Sequence, residues 1–92
     1  MKSAVVYSKD DCPFCVKAKE ILKSEGIEIK EININETMGR EEFILFIAPY
    51  IGDKRPTVPQ IFIDEEYIGG CDDLEDKLSR SSEKIEFDNF SL

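Results

Sequence analysis

The sequence predicts an α/β domain, and three observations carry that prediction. Ala4-Val5-Val6-Tyr7 is a short, apolar, partly β-branched run of the kind that buries as a strand. Val16, Ala18, Ile21 and Leu22 then recur at helical spacing. Ile27, Ile29, Ile32 and Ile34 follow in an imperfect alternation that reads as a second strand. A strand, a helix and a strand within about thirty residues imply a parallel pair joined by a right-handed crossover.

The elements follow in order. Residues 3–8 form the first strand and Lys9 to Asp11 the turn after it. The first helix is expected from about Pro13 to Glu25. Proline suits its first position, where no N–H is needed, and Gly26 stands just past its end. Asn33 to Gly39 reads as a polar loop. A second helix follows from about Gly39, with Thr37 as its cap and Glu41 and Glu42 favourable in its first turn. Phe43, Phe46, Ile47 and Tyr50 lie on one face of it and are expected in the core, and Pro49 should end or kink it.

Gly52 to Arg55 is a loop leading to Pro56-Thr57-Val58-Pro59-Gln60 and the strand Ile61-Phe62-Ile63. Asp64-Glu65-Glu66 reads as a hairpin turn and Tyr67-Ile68 as the returning strand. X-Pro bonds are cis in only about 5–6% of cases in folded proteins, so local preference alone predicts a trans Pro59. After Gly69-Gly70, the pair Asp72 and Glu75 resembles a capping box opening a last helix with Leu74 and Leu78 on its buried face. Two glycines before a helix start also suit an anion, although a plain turn explains them equally. Residues 1–80 are thus read as one domain and 81–92 as a tail. For the polar stretch 79–92, with Ile85, Phe87 and Phe90, docking and a loose tail both remain open.

The chemistry centres on Cys12-Pro13-Phe14-Cys15 at the first strand-to-helix junction. Cys12 falls at the helix cap, so the free N–H groups of the first turn point at its sulfur and favour the thiolate. Cys15 lies one turn further on the same face, within reach. A structural zinc site needs four ligands, and the chain has three cysteines and no histidine, which excludes a closed Cys/His site in one chain. A zinc site shared between subunits is the lesser alternative, and redox chemistry is the reading that the spacing and the strand-to-helix junction favour.

Composition narrows the partners. At 92 residues and 41% hydrophobic content, the chain suits a single globular core. No apolar run reaches membrane-span length and the first residues show no signal-peptide pattern, so a cytoplasmic location is expected. The odd cysteine count fits a reducing compartment better than a disulfide framework. A net charge of −8 argues against nucleic acid and membrane partners. Residues 1–19 nevertheless carry four lysines against two aspartates, and residues 64–92 ten acidic against three basic side chains. The cysteine pair therefore lies in the least acidic part of the chain. Lys17 and Lys19 read as a solvated helix face; Lys9 is the candidate functional cation.

Three motifs in this order, Lys9-x-x-Cys12-Pro13-Phe14-Cys15, Thr57-Val58-Pro59-Gln60-Ile61-Phe62-Ile63 and Gly69-Gly70-Cys71-Asp72-Asp73-Leu74, closely resemble a glutaredoxin of the small bacterial and viral dithiol type. The resemblance spans residue 3 to about residue 78. It implies a thioredoxin fold, a four-stranded mixed sheet flanked by three helices. It also implies an enzyme that reduces protein disulfides and glutathione mixed disulfides, with glutathione as reducing co-substrate, no permanently bound cofactor and no metal. Cys12 is then the nucleophile and Cys15 the resolving thiol. The proline matching Pro59 is cis in the family, which turns the N–H and C=O of Val58 outward to pair with the glutathione backbone like an added strand.

The same resemblance implies that Lys9 faces the glycyl carboxylate and favours the thiolate, that Thr57 flanks the groove, and that Arg55 occupies a loosely matched basic position. Gly70, Cys71, Asp72 and Asp73 would grip the γ-glutamyl end, backbone N–H groups taking its carboxylate and Asp73 facing its ammonium. Phe14 stands where tyrosine is common and keeps a stacking surface without the hydroxyl. Asp72 stands where Ser or Thr is common and sets a carboxylate against the γ-glutamyl carboxylate. A monomer acting on disulfide-containing proteins is expected, ribonucleotide reductase being one target at family level. Two other readings are distinguishable. A redoxin served by a flavoprotein reductase would turn over with that reductant and not with glutathione. An iron–sulfur carrier would take up a coloured cluster on anaerobic reconstitution.

Overall fold

The computed structural model describes residues 2–79, so the expectations for the tail at 81–92 lie outside the described residues. The elements run β1 (Ser3–Ser8), α1 (Pro13–Ser24), β2 (Glu28–Asn33), α2 (Ile34–Thr37), α3 (Gly39–Ile51), β3 (Gln60–Ile63), β4 (Glu66–Gly69) and α4 over residues 71–79. The four strands form one mixed sheet in the order β2-β1-β3-β4. β1 and β2 pair in parallel, from Ser3 opposite Glu28 to Ser8 opposite Asn33, as the crossover implied. β3 runs antiparallel to β1 and β4 antiparallel to β3.

Strand alternation divides the core into two layers. Ala4 and Val6 of β1 and Ile61 and Ile63 of β3 face one way, where they pack with Ala18 and Leu22 of α1 and Leu74 of α4. Tyr7 and Phe62 face the other way, against Phe43, Phe46 and Ile47 of α3. Apolar residues on both faces of β1 explain why its sequence reads as a continuous run and not as an alternation. The β3–β4 hairpin turns on Asp64 and Glu65, whose φ angles of 48° and 70° supply the left-handed pair that a two-residue hairpin needs.

The polar loop expected between Asn33 and Gly39 instead contains the single-turn helix α2. Asn33 caps it by accepting the Asn35 N–H at 2.9 Å, and Ile34 anchors it by burial. This turn brings the helices among the described residues to four. Thr37 does not cap α3: its hydroxyl donates back to the Asn33 carbonyl at 2.9 Å, and Met38 stands at the α3 N-cap with no side-chain bond. Pro49 lies within α3, which runs only two residues further before Gly52 at φ 62°. Tyr50, placed by spacing with the core, remains 46% exposed although its ring meets Phe62 edge-on at 5.0 Å.

Candidate active site

Cys12 and Cys15 are joined by a disulfide, with their Cα atoms 5.2 Å apart. Extended backbone at Cys12 makes it the N-cap of α1, and Pro13 takes the first helical position. The Cys12 Sγ accepts the Cys15 N–H at 3.2 Å, so sulfur fills the role that an oxygen fills in most helix caps. No acidic residue occupies the first turn, and the partial positive charge of the helix end is left for the sulfur. Both cysteines are largely buried, but Cys12 keeps 9% exposure against 2% for Cys15, so it is the more accessible of the two to an incoming disulfide.

The loop before β3 faces this cap. The Val58–Pro59 peptide is cis, which corrects the trans isomer expected from local preference and agrees with the resemblance. The Val58 carbonyl oxygen lies 4.0 Å from the Cys12 Sγ. From there a groove of about 350 Å³ runs between Phe14, the 54–60 segment and the start of α4. Of the anticipated site residues, it gathers Phe14, Arg55, Thr57, Val58, Pro59, Gly70, Cys71, Asp72 and Asp73. Phe14 is 60% exposed at its rim. Its charged lining comes from Lys54 and Arg55 of the loop before β3 and from Asp72 and Asp73 of α4.

Lys9 is not among the residues lining that groove. It lines a separate depression together with Cys12, Cys15, Lys19 and Glu31. Lys19 donates to Glu31 at 2.9 Å, and the buried Ser8 hydroxyl donates to the same carboxylate at 2.6 Å. These bonds, Ser8 first and Lys19 second, hold the Glu31 carboxyl below its ordinary pKa. Lys19, read as part of a solvated face, is therefore an ion-paired neighbour of the dithiol.

At the start of α4 the capping box differs from the one expected. Gly70 precedes the helix, and its N–H donates to Asp73 Oδ2 at 2.9 Å, the back-reaching half of a box shifted by two residues. A Cβ on Gly69 would run into the same Asp73 side chain. Glu75, the expected partner of Asp72, pairs instead with Lys17 of α1 at 3.4 Å. Asp73 thus has a structural duty beside any binding one. Lys54, Gln60 and Tyr67 also line the groove. Sequence reading placed them in a loop, a motif and a strand without assigning them a role, and only the hairpin register shows that Tyr67 lies opposite Phe62.

Cys71 is buried and free. Burial pushes its thiol pKa up, Glu75 and Asp72 push the same way, and Lys17 only partly opposes them. It therefore stays protonated at neutral pH and is a poor nucleophile. Cys71→Ser should leave turnover within about twofold of wild type; a tenfold loss in a glutathione-coupled assay would show a redox role for this thiol.

Comparison with known proteins agrees with this geometry. The Glutaredoxin family model matches residues 4–68. Over 74 residues the chain is 40% identical to Glutaredoxin 3 of Escherichia coli strain K12, covering 80% of this chain and 83% of that protein. It is 39% identical over 74 residues to a glutaredoxin of Pseudomonas aeruginosa, covering 80% and 82%. Among solved structures, the buckwheat glutaredoxin–glutathione complex matches with a TM-score of 0.75 at 26% identity, over 87% of this chain and 71% of that one. The dithiolic glutaredoxin 2-C-Grx1 of Trypanosoma brucei brucei matches at 0.71 and 33% identity, over 85% and 78%.

Proposed function

This chain belongs to the glutaredoxin family, and on that premise we propose how its dithiol works: Cys12 attacks, Cys15 resolves, and glutathione occupies the groove beside them. The activity is glutathione-dependent thiol–disulfide exchange. One observation carries the division of labour. Cys12 alone holds the helix cap, with its sulfur on a backbone N–H, while Cys15 is buried behind it.

The Cys12 thiolate attacks one sulfur of a target disulfide, forms a mixed disulfide and expels the other sulfur as a thiolate, which takes up a proton. Cys15 then loses its proton and attacks the Cys12 sulfur. That step closes the Cys12–Cys15 disulfide and releases the second target thiol. One glutathione thiolate reopens the pair as a Cys12–glutathione mixed disulfide; a second attacks the glutathione sulfur. The dithiol is restored and glutathione disulfide leaves, so two electrons pass from two glutathiones to one target. The chain has no histidine, so thiolate reactivity, set by the helix end, carries the rate.

Glutathione is a zwitterionic peptide with two carboxylates and one ammonium, and the groove has charge to match. Lys54 and Arg55, both lining the groove, would take the glycyl carboxylate. Backbone N–H groups at the start of α4 suit the γ-glutamyl carboxylate, with Asp73 toward the ammonium. The Val58 backbone pairs with the peptide as an added strand. Lys9, in a separate depression that the two cysteines also line, acts on the thiolate by its charge and leaves the glycyl carboxylate to Lys54 and Arg55. All the groove residues come from one chain, which supports a monomer acting on disulfide-containing proteins.

Two results would check this reading. Cys12 should titrate well below an ordinary thiol in Cys15→Ser, followed by thiolate absorbance against pH, while Cys15 in Cys12→Ser should not. An ordinary Cys12 pKa would remove the proposed origin of reactivity. Asp72 is exposed and places a second negative charge where the γ-glutamyl carboxylate must sit. Asp72→Ser should therefore lower the KM for glutathione about two- to threefold, more at low salt, since a rim charge is worth well under 1 kcal/mol. Unchanged KM at two ionic strengths would show that the carboxylate does not oppose the substrate. The overall function is tested by a glutathione-coupled disulfide reduction assay on wild type and Cys12→Ser, which should be inactive.

A further inference from the structure

Gln60 is 3% exposed, yet its amide is fully engaged on both sides. Its Nε2 donates to the Thr57 carbonyl at 3.0 Å, and its Oε1 accepts from the Tyr67 hydroxyl at 2.7 Å. The direction of this relay is forced. A carbonyl can only accept, so the amide nitrogen must face Thr57; the amide oxygen then faces Tyr67, whose hydroxyl must donate. Tyr67 can do so, because a phenol keeps its proton at neutral pH, and burial, with Asp73 adding to it, moves the pKa further up. Its ring is fixed in turn, edge-on to Phe62 at 5.3 Å and tilted against Tyr50 at 5.2 Å. The relay thus connects a rigid aromatic cluster to the segment one residue before Val58, whose carbonyl faces the Cys12 sulfur.

We propose that Tyr67 and Gln60 are positioning residues for glutathione: through the Thr57 carbonyl they hold the Thr57–Val58 backbone at the angle that lets it pair with the bound peptide. Neither needs to touch the reacting sulfurs. The inference rests on the reading of the groove as the glutathione site. It distinguishes Tyr67 from an ordinary strand residue, because its ring alone would satisfy the packing.

Tyr67→Phe keeps the ring and removes the donor. It should raise the KM for glutathione about fivefold with kcat within twofold, and leave the Cys12 titration unmoved. It should also lower the melting temperature, because the Gln60 oxygen is left buried and unpaired. Tyr67→Phe combined with Gln60→Met removes both polar partners and should recover most of that stability, while KM stays high because nothing then holds the Thr57 carbonyl. Recovery of KM together with the melting temperature would make the relay merely structural and overturn the inference, as would an unchanged KM in Tyr67→Phe. Asp73→Ser, measured alongside, separates the two readings. If it raises KM while Tyr67→Phe does not, only the inference falls; if neither variant moves KM, the groove assignment falls with it.

Discussion

Cys15→Ser should keep most of its turnover on glutathione mixed disulfides and lose about a hundredfold on protein disulfides. The two substrates part ways at the second step. When Cys12 takes a glutathionyl group from a target, the remaining bond lies between Cys12 and glutathione, and a second glutathione from solution can cleave it. When Cys12 attacks a protein disulfide, the mixed disulfide buries its sulfurs between two proteins. Cys15 then resolves it from within, in a geometry already set by a Cα separation of 5.2 Å. Intramolecular thiols at such range act at effective concentrations far above the millimolar glutathione that would replace them. Steady-state rates on one substrate of each kind measure the split. Equal losses on both would show that resolution by Cys15 is common to both routes, and no loss on either would make Cys15 dispensable.

Leu22→Ala should destabilise the domain by about 3 kcal/mol. Leu22 has no exposed surface and packs with Ala18 beneath the sheet, against Ile61 and Leu74. A domain of this size holds about 5–15 kcal/mol in total, so this one truncation should lower the melting temperature by about 15 °C. The Cys12 thiolate, in contrast, depends on the first turn of α1, whose backbone bonds the truncation leaves in place. Below its melting transition the variant should therefore titrate like wild type at Cys12. Urea unfolding of the reduced protein gives the stability change. A loss under about 1 kcal/mol would mean that α1 is held by something other than this contact. A shifted thiolate pKa would mean that core packing tunes the active site directly.

Much of the site was legible in the chain because its chemistry is short-range. Two cysteines three apart, a proline after the first and an apolar strand before it suffice to put a sulfur on a helix end. Periodicity likewise fixed the parallel β1–β2 pair, the hairpin and the buried faces of α1 and α4. The motif resemblance added Lys9 and the groove residues from Phe14 to Asp73; the structure brings the latter to one cleft and places Lys9 in another.

Other features were decided only when the elements met. The Val58–Pro59 isomer follows the surrounding fold, because a local preference of about 1 kcal/mol is too small to rule it. Asn33 caps a helical turn inside a stretch whose polarity suggested only a loop, because Ile34 found a place in the α3-side core. Asp73 closes on Gly70, while Glu75 is drawn to Lys17 on a helix some sixty residues earlier in the chain. Tyr67, an unremarked strand residue in sequence, becomes the donor to Gln60 once β4 pairs with β3. Spacing along one element can be read from residue types, since the geometry that relates neighbours is fixed by the backbone. Which partner a side chain takes across elements depends on register and packing, and those exist only in the folded chain.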